Sequence, residues 1–366
     1  MISVWSYLEE YKEEKKEIDQ AIKKVLTSGK LILGPNVEKF EQQFSKWCGS
    51  KYGVGVANGT DAIFLALKAL EIGKGDQVIT VSNTAVPTVS AIIASGAEPV
   101  FVDIDPKTYL MDLNQIKKRI SSKTKAIIAV HLYGQTVNIK KLKKIIKSKN
   151  IKIIEDCAQS HGAMHKNSYA GSMGDIAAFS FYPTKILGTY GDGGLCMTKS
   201  KKIYNKLKRL RFYGMEKTYY SLEPGYNSRL DELHAAILLN KLKHLKTYVK
   251  KRQKLASIYS SKLNETSLLL PEVDKDNTHA FYVYVVRHKK RDEIIKKLKK
   301  SDIFVNISYP YPIHSMSGVK NMVKRYYLPE TDSAAKEIFS LPMYPSLSFK
   351  KQEKVIEVLK RIDSEI

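Results

Sequence analysis

Cysteine is scarce in this chain: only Cys48, Cys157 and Cys196 occur among 366 residues. An odd, widely spaced set excludes a disulfide framework, and none of the spacings is that of a metal site. Buried thiols in a reducing compartment fit this usage, so the cytoplasm is the expected location. Cys157 reads as a small buried residue rather than a nucleophile. Long apolar runs are missing too. None approaches the roughly 20 residues of a membrane-spanning helix, and the opening MISVWSYLEEYKEEKKEI has its charges in the wrong order for a secretory leader. No metal ion and no membrane is expected as a partner. Repeats, low-complexity tracts and disordered linkers are likewise absent.

Acid is in short supply relative to base. Lys+Arg number 61 against 37 Asp+Glu, for a net charge of +24. Such an excess raises nucleic acid as a partner. The lysines, however, are spread along amphipathic helices, as in VNIKKLKKIIKSKN, where Ile139, Leu142, Ile145 and Ile146 mark the inward stripe. No basic stretch carries the interleaved aromatics of a single-strand binder. The charge reads as solvated helix faces that favour an anionic substrate, and no nucleic acid is expected.

What is present describes a folded α/β protein. Hydrophobic residues make up 43% and aromatics 10%, and the length calls for two domains. Strand-like runs fall at Gly53–Ala57, Val78–Val81, Val100–Asp103, Ala126–His131, Ile151–Glu155, Ile176–Phe181 and Leu195–Thr198, most separated by helix-length segments. That alternation predicts helices layered on a largely parallel sheet. A helix is expected over 5–28. A large α/β domain is expected over 1–240 and a smaller α+β domain over 241–366, where AFYVYVV, DEIIKKLKKSDI and NISYPYPIHSM alternate in type. A helix from Asp231 to about Lys254 links them.

The most informative stretch is IAAFSFYPTKILGTYGDGG, residues 176–194. A short buried strand ends at Pro183, and Gly188, Gly191, Gly193 and Gly194 make the next segment a tight loop. Lys185 lies between them. Desolvation favours the neutral amine, which attacks carbonyls, most familiarly that of pyridoxal phosphate. Asp156, just beyond the apolar run Ile151–Ile154, falls where parallel sheets gather functional groups. A carboxylate there can keep a pyridine nitrogen protonated. Upstream, KYGVGVANGTDAIFLALKAL reads as strand, Asn58-Gly59 turn and helix, with Thr60 or Asp61 as the cap. Its opening either holds a phosphate at Gly59 and Thr60 or is an ordinary capped helix.

Three ordered motifs, EDCAQSHGA, GDIAAFSFYPTKILGTYGDGG and GYNSRLDELHAAIL, resemble the DegT/StrS family of nucleotide-sugar aminotransferases. The resemblance runs from about Gly34 to the helix after Arg229, and more faintly to the end. It implies the aspartate-aminotransferase fold (fold type I of the pyridoxal phosphate enzymes), with a mostly parallel seven-stranded sheet in the large domain. It implies pyridoxal 5'-phosphate bound to Lys185, with the pyridoxamine form as intermediate, and Asp156 against the ring nitrogen. Gln159 maps onto the residue that meets the ring oxygen, and Gly59, Thr60 and Ser180 onto the phosphate site. Asn227 maps onto a residue that reaches the phosphate of the partner subunit in a homodimer. On the substrate side it points to His161, Tyr182, Arg229, Tyr311 and His314. Arg229 either holds the carboxylate of a glutamate donor or pairs structurally with Asp231 or another acid. Tyr309, Tyr311 and His314 either close over the sugar or form a proline-bracketed turn packing its own tyrosines.

One departure stands out. Family members often place an aromatic ring over the cofactor face where this chain has Ala85, so either another side chain covers the ring, with His161 a candidate, or the face is open. His161 is otherwise a substrate contact or a satisfied structural histidine. Within the family, YPTKILGTYGDGG and NSRLDE most resemble enzymes that aminate C3 of dTDP-linked 3-keto-6-deoxyhexoses, with L-glutamate as donor, for deoxyaminosugars of surface polysaccharide or glycan. A C4-specific aminotransferase of the same family, and a non-catalytic nucleotide-sugar-binding regulator, are the alternatives. A family dehydratase typically carries histidine at the position of Lys185.

Overall fold

The computed structural model describes residues 1–147, 149–324 and 326–366. The seven sheet strands form within two residues of their expected bounds: β1 Tyr52–Val56, β2 Gln77–Val81, β3 Glu98–Val102, β4 Thr124–Val130, β5 Lys152–Asp156, β6 Ile176–Ser180 and β7 Gly194–Thr198. They make one sheet in the order β1-β7-β6-β5-β4-β2-β3. All neighbours run parallel except β7, which is antiparallel to both β1 and β6. Strands β2, β6 and β7 are buried at every position. Their largely apolar character follows, because helices cover both faces of such a sheet.

The main helices are α1 Leu8–Leu26, α2 Pro35–Trp47, α3 Gly59–Ala69, α4 Val86–Ser95, α5 Ile139–Ile146, α6 Lys201–Leu210, α7 Glu232–Leu263, α8 Arg291–Lys300, α9 Pro329–Glu337 and α10 Phe349–Ser364. The cap of α3 is Asn58, not Thr60 or Asp61. Its extended backbone lets the side-chain oxygen accept from Asp61 N at 2.8 Å, which leaves Thr60 inside the first turn. Among the described residues no helix is long and apolar enough to cross a membrane.

Helix α7 runs on to Leu263, past the expected end near Lys254. Its first part, including Leu238, Leu245 and Tyr248, packs with Phe40, Phe44, Phe179 and Phe181 against the large sheet. Its last part, including Leu255, Tyr259 and Leu263, packs with Leu298, Phe339 and Leu359. The expected division after residue 240 therefore falls inside one continuous helix. In this second cluster β8 (Tyr284–Arg287) pairs antiparallel with β9 (Ile338–Leu341). Ile2 belongs to it as well, bridged to Ile303, so the first residues pack with the last third of the chain.

Two buried charges fasten these parts. Glu232 accepts from Asn36 N and Val37 N at 3.0 and 2.8 Å, placing an anion on the positive end of α2. Arg252, fully enclosed, donates to the carbonyls of Phe281, Tyr282 and Met343 at 3.2, 3.0 and 2.9 Å. Burial lowers its pKa to about 10. From the other side, Ala280 N and Tyr282 N donate to Gly134 O and Tyr133 O at 2.8 and 3.0 Å. Gly134 has φ +105°, and a Cβ there would lie 2.8 Å from the nitrogens of both Phe281 and Tyr282. Gly134→Ala is expected to cost about 2–4 kcal/mol in urea unfolding. Gly318→Ala, with open space around the Cβ, is expected to stay within about 1 kcal/mol of the parent.

Candidate active site

The carboxyl ends of β4 and β5, the start of α3 and the turn after β6 enclose a cavity of about 570 Å³, a size usual for small-molecule sites. Gly59, Thr60, Asp156, Gln159, Ser180, Tyr182 and Lys185 all line it. Seven positions spread over 127 residues of sequence thus meet in one place.

Asp156 is the last residue of β5 and only 5% exposed. Its Oδ2 accepts from the Thr88 hydroxyl on α4 at 2.8 Å and its Oδ1 from Ala158 N at 3.2 Å. Thr84 in turn meets Thr88 at 3.0 Å. Desolvation pushes the Asp156 pKa up, and these hydrogen bonds, Lys185 and His131 recover only part of the shift. Its neighbour Glu155 points to the opposite side, as successive strand residues must. Glu155 accepts from His131 Nε2 (2.8 Å) and from the backbone of Gly171, Met173 and Gly174 (3.0, 2.7 and 2.5 Å). Burial pushes that carboxyl up, but this fuller set of donors outweighs it and the pKa falls below its usual value. His131 Nδ1 accepts from Val137 N at 3.0 Å, so its proton sits on Nε2, facing Glu155.

Lys185 is half-buried, in a turn closed by its N–H to Tyr182 O at 2.9 Å. Gly188 is needed here, since a Cβ would lie 2.7 Å from the carbonyl oxygens of Tyr182 and Pro183. The ammonium lies 4.7 Å from the centroid of the Tyr282 ring, a cation–π contact. Burial would raise the Tyr282 phenol's pKa, but the nearby Lys185 charge and the Thr184 hydroxyl at 3.1 Å bring it below its ordinary value. Gln159 Oε1 accepts from Tyr133 N at 2.9 Å, and its Nε2 donates to the Tyr309 hydroxyl at 2.6 Å.

Also on the cavity wall, Gly59 and Thr60 open α3, and among the described residues their N–H groups have no backbone partner. Gly59 packs so tightly on Ser180 that a Cβ would lie 2.6 Å from the serine Cβ. Unpaired N–H groups on a positive helix end beside a hydroxyl form an anion cradle. A buried carboxylate that lacks a salt-bridge partner among the described residues and a lysine line the same cavity. These residues fit a phosphorylated pyridine aldehyde in size and charge.

Of the other residues singled out in the sequence for cofactor or substrate contact, only Ala85 is among those lining this cavity. His161 is 1% exposed, with its ring 5.3 Å from Phe179 and 5.7 Å from Phe181, and neither nitrogen has a partner. Burial lowers its pKa to about 3. It is a neutral core residue, neither covering the cofactor face nor satisfied. Ala85 lines the cavity without an aromatic cover from that side. Arg229 lies over the Phe212 ring at 5.5 Å and Asp231 faces His234 at 3.8 Å, so these two do not pair. Asn227 is exposed and bridged to Phe212. Tyr311 is 70% exposed. His314 anchors its segment to the end of β2, its Nδ1 2.8 Å from the Ser82 hydroxyl. Sequence reasoning missed Thr88, His131 and Tyr282, and of the closing segment it is Tyr309 that meets a cavity residue. No local motif announces them, because each comes from a separate element.

The model of the DegT/DnrJ/EryC1/StrS aminotransferase family matches residues 12–360. The chain belongs to this family and is an aminotransferase. It is 50% identical to a dTDP-3-amino-3,4,6-trideoxy-alpha-D-glucose transaminase of Micromonospora megalomicea subsp. nigra, over 98% of each chain. It is 40% identical to a protein of Geobacillus stearothermophilus named pleiotropic regulatory protein, over 95% of each. Among solved structures, S. venezuelae DesV in complex with a ketimine intermediate superposes with a TM-score of 0.98 at 35% identity, over 100% of this chain and 99% of that one.

The raised Asp156 pKa carries a sign that can be tested. An acid whose folded pKa exceeds its unfolded value stabilises the fold when protonated, and that contribution is lost as pH rises through the folded pKa. In cofactor-free protein, Asp156→Asn is therefore expected to melt a few degrees higher than the parent near pH 7. The difference should vanish below about pH 4, where both forms are neutral. Calorimetry across pH measures this, and equal melting temperatures throughout would show that the carboxylate carries no such burden.

Proposed function

We propose that this aminotransferase uses pyridoxal 5'-phosphate to move an amino group from L-glutamate to a dTDP-linked keto-sugar, at C3 of a 3-keto-6-deoxyhexose. The observation that carries the cofactor assignment is the meeting of Lys185, the buried Asp156 and the start of α3 in one cavity. The sugar is argued from the 50% identical transaminase, whose name specifies a dTDP-3-amino sugar. The site works in the cytoplasm, consistent with three free, buried cysteines.

When bound, the cofactor supplies an electron sink and a carrier for the amino group between two half-reactions. Every other task falls to the chain. The N–H groups of Gly59 and Thr60 and the Ser180 hydroxyl hold the phosphate. Asp156, oriented by Thr88 and Ala158 N, holds the ring nitrogen in its protonated form, and that cation relieves the buried carboxylate. Gln159 offers an amide donor to the ring oxygen without adding charge. Lys185 would attach the cofactor, and as a free amine its Nζ would hold and move the proton that transamination requires. Tyr182, on the cavity lining and 51% exposed, is the tyrosine available to a sugar, and the resemblance adds the exposed Tyr311 as a second contact. Asn227 and Arg229, turned away from their own cavity, serve the partner's site in a homodimer. His314 acts by anchoring the closing segment.

The regulatory name of the Geobacillus relative supports a second reading, a sugar-binding regulator on the same fold. Lys185, Asp156 and Gln159 together favour catalysis, since ligand binding alone has no use for the lysine. Absorbance separates the two. The purified protein, loaded with pyridoxal phosphate, is expected to show a yellow band that bleaches on adding L-glutamate. Lys185→Ala is expected to bind cofactor non-covalently and lose at least about 10³-fold in transamination. Normal turnover by that variant, or no colour in the loaded parent, would reject the assignment. Mass spectrometry and NMR of the product from 3-keto and 4-keto sugars decide the carbon.

A further inference from the structure

Between Leu113 and Ile154 the chain contains twelve lysines and arginines and no aspartate or glutamate. All of the twelve except Arg119 and Lys152 are exposed. Helix α5 turns Ile139, Leu142 and Ile146 inward and presents lysines to solvent. The short helix Ile116–Arg119 lies beside it. Between them is a hollow of about 580 Å³, in which Lys117, Lys144, Lys147 and Lys149 surround the half-buried Ile120 and Ile145. Among the described residues none of the twelve makes an ion pair. Elsewhere Lys107, Lys206, Lys241 and Lys297 each find an acid.

This arrangement works against the fold that carries it. Lys140, Lys143, Lys144 and Lys147 stand three or four residues apart on α5, where like charges repel. The first turn of α5 holds two lysines and no acid, the reverse of what the helix dipole favours. A single solvated lysine needs no partner, but lysines crowded around one hollow accumulate repulsion that a fixed anionic surface would relieve.

The chemistry of the face narrows that surface. Eleven of the twelve bases are lysines, compact point charges rather than the planar forks that read phosphates bidentately. Within the stretch Tyr133 and His131 are buried, the adjoining Tyr326 ring is taken by Arg119 at 5.2 Å, and among the described residues no ring lines the hollow, so it offers none to stack on bases. A broad lysine face suits the headgroup surface of an anionic bilayer, where lysines gather acidic lipids. We propose that this face rests on an anionic phospholipid bilayer, with headgroup phosphates taken up by Lys117, Lys144, Lys147 and Lys149. This is adsorption to a surface, not insertion, and it does not depend on which keto-sugar is aminated.

Co-sedimentation of the cofactor-loaded enzyme with vesicles tests it. The parent is expected to pellet with phosphatidylcholine vesicles containing about one third phosphatidylglycerol, and not with phosphatidylcholine alone. Binding should fall steeply between about 0.1 and 0.5 M salt. Reversing the four hollow lysines (K117E, K144E, K147E and K149E together) is expected to lower partitioning more than tenfold, at about fivefold per lysine. A control reversing four exposed lysines elsewhere (K289E, K350E, K354E and K360E) has the same net charge and is expected to stay within about threefold of the parent. Retention of the cofactor band by both variants shows that they are folded. The proposal is overturned if the parent ignores anionic vesicles or if the two variants weaken equally. It is also overturned if dependence on the hollow lysines appears only with a DNA duplex or an acidic protein.

Discussion

The site rests on a carboxylate that is almost wholly buried at the wall of the cavity. Asp156 ends a central parallel strand, and its backbone oxygen takes the N–H of His131 from the neighbouring strand at 3.0 Å, so the sheet itself sets its position. Adjacent residues on β5 show how the surroundings decide the charge. Glu155 collects four donors and its pKa falls, whereas Asp156 has two and its pKa rises. Both are buried. The difference is the number of hydrogen bonds offered to the anion, a few of which outweigh desolvation. Glu155 is thereby a finished structural charge, tying β5 to the 171–174 loop, while Asp156 is left wanting a cation. A protonated ring nitrogen would supply one, and cofactor binding and local stability would then be the same event.

The phosphate end depends on the opposite device, the removal of side chains. A Cβ on Gly194 would lie 2.2 Å from Asn58 O, and one on Gly59 would strike Ser180. Strand β7 and the end of β6 therefore approach the start of α3 more closely than any larger residue allows. That contact keeps two N–H groups and one hydroxyl aimed at the same point. The cavity is both charge-hungry and donor-rich because a buried acid and two close-packed glycines shape its wall.

Much of this was legible in the sequence, and the reason differs by part. All seven strands could be read because strands covered on both faces are largely apolar runs bounded by glycine and polar turns. Lys185, Asp156, Gln159 and Ser180 were readable because each lies at a strand end within a short motif. Helix α7 outran its expected end, because its burial switches from one apolar cluster to another near Arg252 and no single stripe spans both. His161 shows the limit of adjacency. Two residues beyond Gln159, it turns to the other side of the sheet into a cage of phenylalanines. Thr88 and Tyr282 reach the site from distant elements, and only tertiary packing reveals them, whereas Tyr309 was legible as part of a closing segment but its pairing with Gln159 was not. The cap of α3 moved to Asn58 because the choice among neighbouring polar residues is made by backbone angle rather than residue type.

The packing of the first residues bears on how the molecule is made. Ile2 bridges to Ile303, Met343 N donates to Val4 O at 3.1 Å, and Ile2 shares its cluster with Leu359 and Ile362. Contacts between residues about 300 positions apart close very large loops, and such contacts reward the chain only after the intervening segments have brought their ends together. The segment that carries Ile2 and Val4 is therefore held by long-range packing, and its order reports on whether the cluster around β9 and α10 is complete.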